Sequence, residues 1–359
     1  PNDMMRFGLI GLGGIGLVRK SALEQSEACE LTAAFDLNQT LLDDLPPHVA
    51  RFNDADSLLK SDSCDAVIIS TPTHFHEDLA IAALENGKHV IVEKPMASSL
   101  QASINMADTA RRCNKVLTVG FNHRYFAAIK DIKQAIDSGV IGTLRYVKGF
   151  AGHTGLSEFK SKWMYDKDIM GGGTLMDNGI HTLDLVCYLM NDPIKTVSGM
   201  ISTETWQLDR SEDNAFVQMR SESGIMGSLH SSWTEWKGYH FYVEAYGDLG
   251  MARAYYAPMH STIITLDKPG GHATKKRNFY IGSIFREKFK GWQSTVIQTF
   301  IEELDDFIRL TENGPAGAIA TSDDGVRSIA IPNAVYQSDA DTTIVNLNNL
   351  WQAPQKQGN

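Results

Sequence analysis

The fold of the first part of the chain is decided by the stretch MMRFGLIGLGGIG, residues 4–16. Its apolar half predicts a buried strand, and its second half is a G-x-G-x-x-G motif. A helix over about residues 14–26 and a second strand over residues 30–35 follow, and that strand ends in Asp36. Strand, glycine motif, helix, strand and acidic residue in this order predict a dinucleotide site of the Rossmann type.

The glycine motif also predicts how a dinucleotide is held. Its glycines permit a tight turn and a close approach of the pyrophosphate to the helix N-terminus. We assign cofactor contacts to Gly11, Gly13, Gly14, Ile15 and Gly16. Asp36 is expected to accept hydrogen bonds from the adenosine ribose hydroxyls and to repel a 2′-phosphate. No arginine follows it, so the sequence favours NAD over NADP.

Strands and helices keep alternating as far as residue 121. Strands are predicted near residues 49–52 and at residues 65–71, 89–93 and 116–121. The helix that follows residue 95 is expected to start at a capping box of Ser98 and Gln101. This α/β pattern is typical of a doubly wound parallel sheet.

Ligands bind at the carboxyl ends of the strands in such a sheet. Residues at the ends of the predicted strands are therefore expected to line one crevice, and we add them to the site: Thr71, Pro72, Glu93, Lys94, Asn122 and Arg124. His76, at the strand–helix junction beside this crevice, is placed among the cofactor contacts. His74 and His76 together supply too few ligands for a metal site, so none is predicted.

After Asn122 the pattern changes. A helix over about residues 126–138 and a strand over about 143–151 precede an irregular stretch that contains His153 and Trp163. Six strands are predicted next, at residues 194–203, 213–220, 225–235, 240–247, 250–256 and 261–266, and their short turns indicate an antiparallel sheet. Residues 268–291 are expected to be irregular. Helices over about 293–312 and 322–338 and a polar tail close the chain.

A second glycine-rich stretch, GGGTLMDNGIHTLD at residues 171–184, precedes an apolar helical pattern that predicts a helix over residues 174–190. On one helix, Asp177 and His181 are four residues apart and share a face. A carboxylate and an imidazole on one rigid face suit proton transfer near neutral pH. The alternative is an acidic residue that answers the helix dipole and a histidine bound by a neighbour.

The composition excludes several classes of protein. A net charge of −10 over 359 residues argues against a nucleic-acid partner. No apolar run is long enough for a membrane span, and no signal-peptide pattern is present at the N-terminus. Four scattered cysteines predict neither a zinc site nor a disulfide framework. We therefore expect a cytoplasmic protein with a small-molecule substrate.

Taken in order, several motifs resemble those of the glucose–fructose oxidoreductase/inositol dehydrogenase (Gfo/Idh/MocA) family. They are the glycine motif, TPTHFH (71–76), GKHV (87–90), EKP (93–95), GFNHRY (120–125), residues 171–184 and DDGVR (323–327). The resemblance implies an NAD(P)-binding Rossmann domain over residues 1–123. It implies an α/β domain with an open, mostly antiparallel sheet over residues 124–345, used for substrate binding and for contacts in a homodimer or homotetramer. Residues 346–359 are left as the tail. Thr73 departs from the family, where Asn is common.

The resemblance also implies the chemistry. Lys94, Asp177 and His181 are expected to be the catalytic residues, with Lys94 and His181 meeting between the two domains. Substrate contacts are assigned to Arg124, His153, Trp163 and Asn178. The expected reaction moves hydride between a secondary hydroxyl of a sugar, an inositol or a sugar derivative and the nicotinamide.

Two alternatives remain open. One is a nucleotide-sugar 3-dehydrogenase, for which Arg286, Lys288 and Lys290 could meet a diphosphate, although a solvated face explains them as well. The other is a non-catalytic NAD(P)-binding regulator, which would have no need of the Lys94, Asp177 and His181 set.

Overall fold

The computed structural model describes residues 4–159 and 161–354, so the end of the predicted tail lies outside the described residues. The chain divides into two compact units. The first holds the residues up to Tyr125 together with Arg286–Val326, and the second holds Phe126–Phe285 together with the residues from Arg327 onward. Within the described residues, no helix combines the length and the apolar character that crossing a membrane requires.

Residues 4–125 alternate strands and helices. In chain order these are β1 (Met5–Ile10), α1 (Gly14–Gln25), β2 (Cys29–Phe35), α2 (Gln39–Asp43), β3 (Ala50–Arg51), α3 (Ala55–Lys60), β4 (Ala66–Ile69), α4 (His76–Glu85), β5 (His89–Val92), α5 (Leu100–Arg112) and β6 (Leu117–Val119). The predicted capping box of Ser98 and Gln101 is wrong, because α5 starts at Leu100 and Ala102 stands three residues after its N-cap. Ser99 is the N-cap, and its hydroxyl accepts a hydrogen bond from Ala102 N at 3.2 Å.

The second part of the chain contains the remaining elements. They are α6 (Ala127–Asp137), β7 (Leu144–Gly152), α7 (Lys167–Met170), α8 (Gly179–Met190), β8 (Ile194–Ser202), β9 (Asn214–Ser221), β10 (Met226–Ser232), β11 (His240–Gly247), β12 (Gly250–Tyr256), β13 (His260–Leu266), β14 (Ala273–Asn278), α9 (Ile281–Lys290), α10 (Gln293–Thr311), β15 (Ala320–Thr321), α11 (Ser322–Asp341) and β16 (Val345–Asn346). The prediction that residues 268–291 are irregular is wrong. β14 is an exposed, polar strand that forms only by pairing with β13, and such an edge strand has little apolar pattern of its own.

The first unit is built on a seven-stranded sheet in the order β15-β6-β5-β4-β1-β2-β3. All its neighbours are parallel except β15, which pairs antiparallel with β6. The central strands are buried apolar runs, as expected where both faces of a parallel sheet are covered. The carboxyl edge of this sheet is where the predicted cofactor residues lie.

The late residues of the chain complete this first unit. Phe300, Leu304 and Phe307 of α10 are buried in one apolar core with Phe7 and Leu9 of β1. The predicted domain over residues 124–345 differs from this division because α10 and β15 belong to the first unit. Long-range pairing of this kind leaves no local trace in the sequence.

The second unit is built on an open nine-stranded sheet in the order β14-β13-β12-β11-β7-β10-β9-β8-β16. Every neighbouring pair is antiparallel except β7 and β10, which run parallel. The α8 helix packs on β7 and β10 and is buried over most of its surface. The predicted fold class, a Rossmann unit followed by a mostly antiparallel α/β unit, is confirmed.

Candidate active site

The glycine motif forms the turn between β1 and α1. Gly11 has a φ of +97°, and a Cβ there would lie 2.6 Å from the carbonyl oxygen of Ser70. A Cβ at Gly16 would overlap the carbonyl oxygen of Gly11. At Gly13 and Gly14, by contrast, a Cβ would have no atom within 4 Å, and both residues are exposed. The outer glycines are thus required by the backbone, whereas the inner two border open space at the N-terminus of α1.

Asp36 is fixed against this turn. One carboxylate oxygen accepts the backbone N–H of Leu12 at 2.6 Å, and the other accepts that of Asn38 at 2.7 Å. Each oxygen retains a second lone pair for a hydroxyl donor. The open space, the helix N-terminus and the oriented carboxylate together fit a dinucleotide with a free ribose diol.

His76 links two strand ends. Its Nε2 lies 3.0 Å from the carbonyl oxygen of Thr71, and its Nδ1 lies 3.0 Å from that of Pro95. The ring is buried, and this burial lowers the pKa of His76 below its ordinary value. Its contacts are therefore with the backbone of the site, next to the half-exposed Thr71 and Pro72.

Glu93, directly after β5, is held by a buried ion-pair network. Arg19 of α1 donates from Nε to Glu93 at 2.5 Å and from Nη1 to Glu303 of α10, and its guanidinium lies 3.6 Å from the centroid of the Phe300 ring. Burial raises the pKa of Glu303 to about 7. Sequence reasoning missed Arg19 and Glu303, because nothing near either residue indicates that they meet.

Lys94 follows Glu93 and is half-buried at the carboxyl edge of the first sheet. The positive charge of the Lys94 ammonium acts on the His123 imidazole. Burial, together with the Lys94 ammonium, lowers the pKa of His123 to about 3. A neutral imidazole therefore stands near the predicted catalytic lysine, and sequence reasoning did not single it out.

Asn122 and Arg124 are buried in the first unit. The amide of Asn122 donates to the Thr299 hydroxyl at 3.0 Å. Arg124 donates to the carbonyl oxygen of Ala318 at 3.2 Å and pairs with Asp324 at 3.3 Å. Because the guanidinium of Arg124 is bound by the protein itself, we do not retain it as a substrate contact.

The second glycine-rich stretch packs against the protein itself. Gly171 ends α7 with a φ of +87°. A Cβ at Gly172 would overlap the hydroxyl of Tyr336, and one at Gly173 would overlap the backbone of Glu212. The buried Glu212 carboxylate accepts the N–H groups of Gly173 and Leu175 at 2.8 and 2.9 Å and the Tyr336 hydroxyl at 3.0 Å. Burial raises the pKa of Glu212.

Asp177 lies in the turn that precedes α8, since the helix starts at Gly179. The prediction of one helix over residues 174–190 is wrong because Glu212 and the glycines hold residues 171–178 in turns. His181 lies in the first turn of α8. The carboxylate of Asp177 accepts hydrogen bonds from His153 Nε2 and from Trp233 Nε1, each at 3.0 Å.

The other predicted substrate residues are placed as follows. Asn178 accepts the Thr174 hydroxyl at 2.8 Å and donates to the carbonyl oxygen of Ser232 at 3.3 Å. Trp163 is half-buried in a short 3₁₀ turn, Lys162–Tyr165. Over residues 4–159 and 161–354 there is no group of three or more His, Cys, Asp or Glu side chains that could hold a metal ion.

Two family models match the chain. Residues 5–121 match the model described as an oxidoreductase family with an NAD-binding Rossmann fold, and residues 129–253 match the GFO/IDH/MocA C-terminal domain.

Named relatives and a solved structure agree with these matches. Myo-inositol 2-dehydrogenase of Thermotoga maritima is 25% identical over 341 residues, which cover 93% of this chain and 96% of the relative. Glucose-6-phosphate 3-dehydrogenase of Bacillus subtilis is 33% identical over 199 residues, but the match covers only 54% of this chain and 56% of the relative. The structure of levoglucosan dehydrogenase in complex with NADH superposes with a TM-score of 0.83 at 23% identity, over 96% of this chain and 99% of that one.

Proposed function

Because the chain belongs to the GFO/IDH/MocA family of NAD-binding oxidoreductases, we propose that it is an NAD-dependent dehydrogenase acting on a free sugar or an inositol. The observation that carries this proposal is the fit of the glycine turn and Asp36 to a dinucleotide. The named relatives support the substrate class, since their names share a ring polyol whose secondary hydroxyl is oxidised.

The preference for NAD over NADP rests on Asp36. Its carboxylate is oriented by two backbone N–H groups at the place where a 2′-phosphate would bring further negative charge. Titration of both cofactors tests this point, and tighter binding of NADP would contradict it. Asp36→Ala should weaken NAD binding and narrow the gap between the two cofactors.

In the proposed reaction the bound dinucleotide supplies the hydride acceptor. His181 takes the proton of the substrate hydroxyl as general base. Lys94 binds the same oxygen and stabilises the negative charge that develops on it. Asp177 orients the substrate or the His181 imidazole.

The positions of the cationic side chains on α9 favour free sugars and inositols over nucleotide sugars as substrates. Arg286 and Lys290 share one face of this exposed helix, whereas Lys288 lies on the other side. The three cations therefore do not form a single clamp for a diphosphate. Nucleotide sugars are nevertheless included in the substrate panel described next, for comparison.

The test is NADH formation with a panel of inositols, free sugars, sugar phosphates and nucleotide sugars. We expect turnover of an inositol or a free sugar. His181→Ala should lower that turnover by about 10²–10⁴-fold and leave NAD affinity unchanged. Lys94→Ala should also lower it, and the double variant should lose less than the sum of the two single losses, because both residues serve one oxygen. Normal turnover in His181→Ala would refute the mechanism, and a fully inactive panel with intact NAD binding would favour a regulator.

We further propose a homodimer or homotetramer assembled on the open sheet of the second unit. Exposed apolar side chains on its strands support this, namely Met200, Phe216 and Met226. Light scattering at micromolar concentration tests it, and a monomer would contradict it.

A further inference from the structure

We propose that Trp233 and His153 are positioning residues that fix the Asp177 carboxylate, as an ionised group, in one rotational orientation. This inference rests on the proposed dehydrogenase function, because it assigns these two side chains a role in that reaction. His153 is thereby moved from the predicted substrate contacts to the support of Asp177.

The parallel pairing of β7 and β10 brings the two donors together. Gly152 and Ser232 are the last paired residues of these strands, and His153 and Trp233 follow them directly. The backbone pairing continues past the strand ends, since His153 N donates to Ser232 O at 3.1 Å. Two side chains that leave neighbouring parallel strands at the same end thus meet over one carboxylate.

The tautomer of His153 is set by its other ring nitrogen. Gly155 N–H donates to His153 Nδ1 at 3.0 Å, so this nitrogen presents its lone pair. The ring proton of the neutral imidazole then lies on Nε2, which can only donate to Asp177. Gly155 has a φ of +77°, and a Cβ there would lie 2.7 Å from the Trp233 carbonyl oxygen, so the donating loop requires glycine.

Trp233 supplies the second donor from a rigid position. Its side chain is fully buried, and its backbone N–H donates to Asp213 O at 2.7 Å, while its carbonyl oxygen accepts from Trp206 Nε1 at 2.9 Å. The ring of Phe159 packs edge-on against both donors, with centroids 5.2 Å from Trp233 and 5.5 Å from His153. An indole N–H donates and never accepts, so it stabilises the ionised carboxylate.

Both donors bind the same oxygen, Oδ2 of Asp177. Two hydrogen bonds to one oxygen fix the rotation of the carboxylate about its Cβ–Cγ bond and so define the direction of Oδ1. The carboxylate is also nearly buried, and the two N–H groups replace the water that an ionised group would otherwise need. Asp177 thus enters the reaction already charged and already oriented.

The first test removes each N–H donor and leaves an aromatic phenyl ring in its place. Trp233→Phe and His153→Phe should each lower kcat by about tenfold to a hundredfold with little change in NAD affinity. In each variant the Asp177 carboxyl, followed by ¹³C NMR against pH, should take up its proton at higher pH, because the ionised form loses one of its two hydrogen-bond donors. His153→Gln, whose side-chain amide can donate from the position of Nε2, should recover most of the loss.

Matched controls separate this effect from general damage. Trp236→Phe and His272→Gln change exposed residues of the same types and should leave kcat and the NMR titration of Asp177 unchanged. In an Asp177→Asn background, Trp233→Phe should cause little further loss, because its target is already neutral. An unchanged NMR titration of Asp177 in both donor variants, or equal activity of His153→Phe and His153→Gln, would overturn the proposal.

A second measurement does not depend on activity. The ¹⁵N shifts of the His153 ring in the whole protein should show a protonated Nε2 and an unprotonated Nδ1, and Asp177→Asn should shift the Trp233 indole N–H signal. A protonated Nδ1 would refute the positioning role even in an active dehydrogenase. The expected shifts in a protein that oxidises no member of the panel would instead leave the geometry intact and refute the proposed function.

Discussion

The two glycine-rich turns of this protein resemble each other in sequence and differ in what their glycines make room for. At Gly13 and Gly14 a side chain would enter open space, whereas at Gly172 and Gly173 it would overlap Tyr336 and Glu212. The proposed function assigns the open space at the first turn to the dinucleotide, whereas the second turn is filled by the interior of the protein. Under that proposal the same residue type serves binding in one unit and packing in the other.

Each of the two turns is supported by a buried carboxylate, and the two carboxylates bind different kinds of partner. Glu303 is paired with a guanidinium, that of Arg19, which also holds Glu93. Glu212 is held by two backbone N–H groups and a hydroxyl. The first turn is thus supported by opposite charges and the second by hydrogen bonds to the turn itself. Substitutions on the two sides should therefore change different measured quantities.

The largest effect is expected for Gly173→Ala. Its Cβ would overlap the backbone of Glu212, which cannot move aside as a flexible side chain could. We expect a loss of about 3 kcal/mol or more in the free energy of unfolding, together with loss of turnover. Thermal and urea unfolding measure it. Wild-type stability in Gly173→Ala would show that the second turn can accommodate a Cβ at this position.

The next effect concerns pH and the first unit. Because the pKa of Glu303 is raised to about 7 from its ordinary 4.5, the folded protein binds more protons than the unfolded chain between these values. The resulting stabilisation is present in full below about pH 4.5 and is lost as the pH rises through about 7. Relative to Glu303→Gln, which keeps the Arg19–Glu93 pair, the wild type should lose on the order of 2–3 kcal/mol over this range.

Urea unfolding at several pH values, with hydrogen exchange of the α10 amides as the local probe, measures this difference. Parallel pH profiles for the wild type and Glu303→Gln would show that Glu303 is ionised throughout and that the pairing with Arg19 outweighs burial.

A smaller effect is expected for Glu212→Gln. Its amide group would present N–H donors to a turn that already donates from Gly173 and Leu175, so we expect a loss of about 2 kcal/mol. Tyr336→Phe removes only one hydroxyl donor and should cost about 1 kcal/mol. If the two variants are equally stable, the backbone contacts of Glu212 do not hold the turn.

The smallest effect sharpens the comparison most directly, because Gly14→Ala is the same substitution as Gly173→Ala. Gly14 is the first residue of α1, where alanine favours the helix, so the free energy of unfolding should stay level or rise slightly. The added methyl group should lower NAD affinity about tenfold, which isothermal titration calorimetry measures. Unchanged NAD affinity would mean that the open space at Gly14 is not the pyrophosphate site.

Local sequence determined most elements of this protein. The periods of apolar residues predicted the strands β1, β2, β4 and β5 and most strands of the second sheet, because burial imposes these periods wherever a strand forms. The apolar periods did not predict β14, whose polar residues form a strand only by pairing with β13. The sequence pattern also predicted a start for α8 that is too early, because the turn before that helix is held by Glu212, a residue far along the chain.

The candidate site shows the same difference between what local sequence predicts and what long-range contacts decide. The sequence by itself predicted the glycine turn, Asp36, Lys94 and the pair of Asp177 and His181 as site residues, because the proposed chemistry lies in short motifs. Only the tertiary structure decided what holds them. Arg19 meets Glu303 across 284 residues, and Trp233 meets Asp177 across 56. Sequence spacing does not record such contacts, since they depend on which strands become neighbours in a sheet and which side chains leave the same edge.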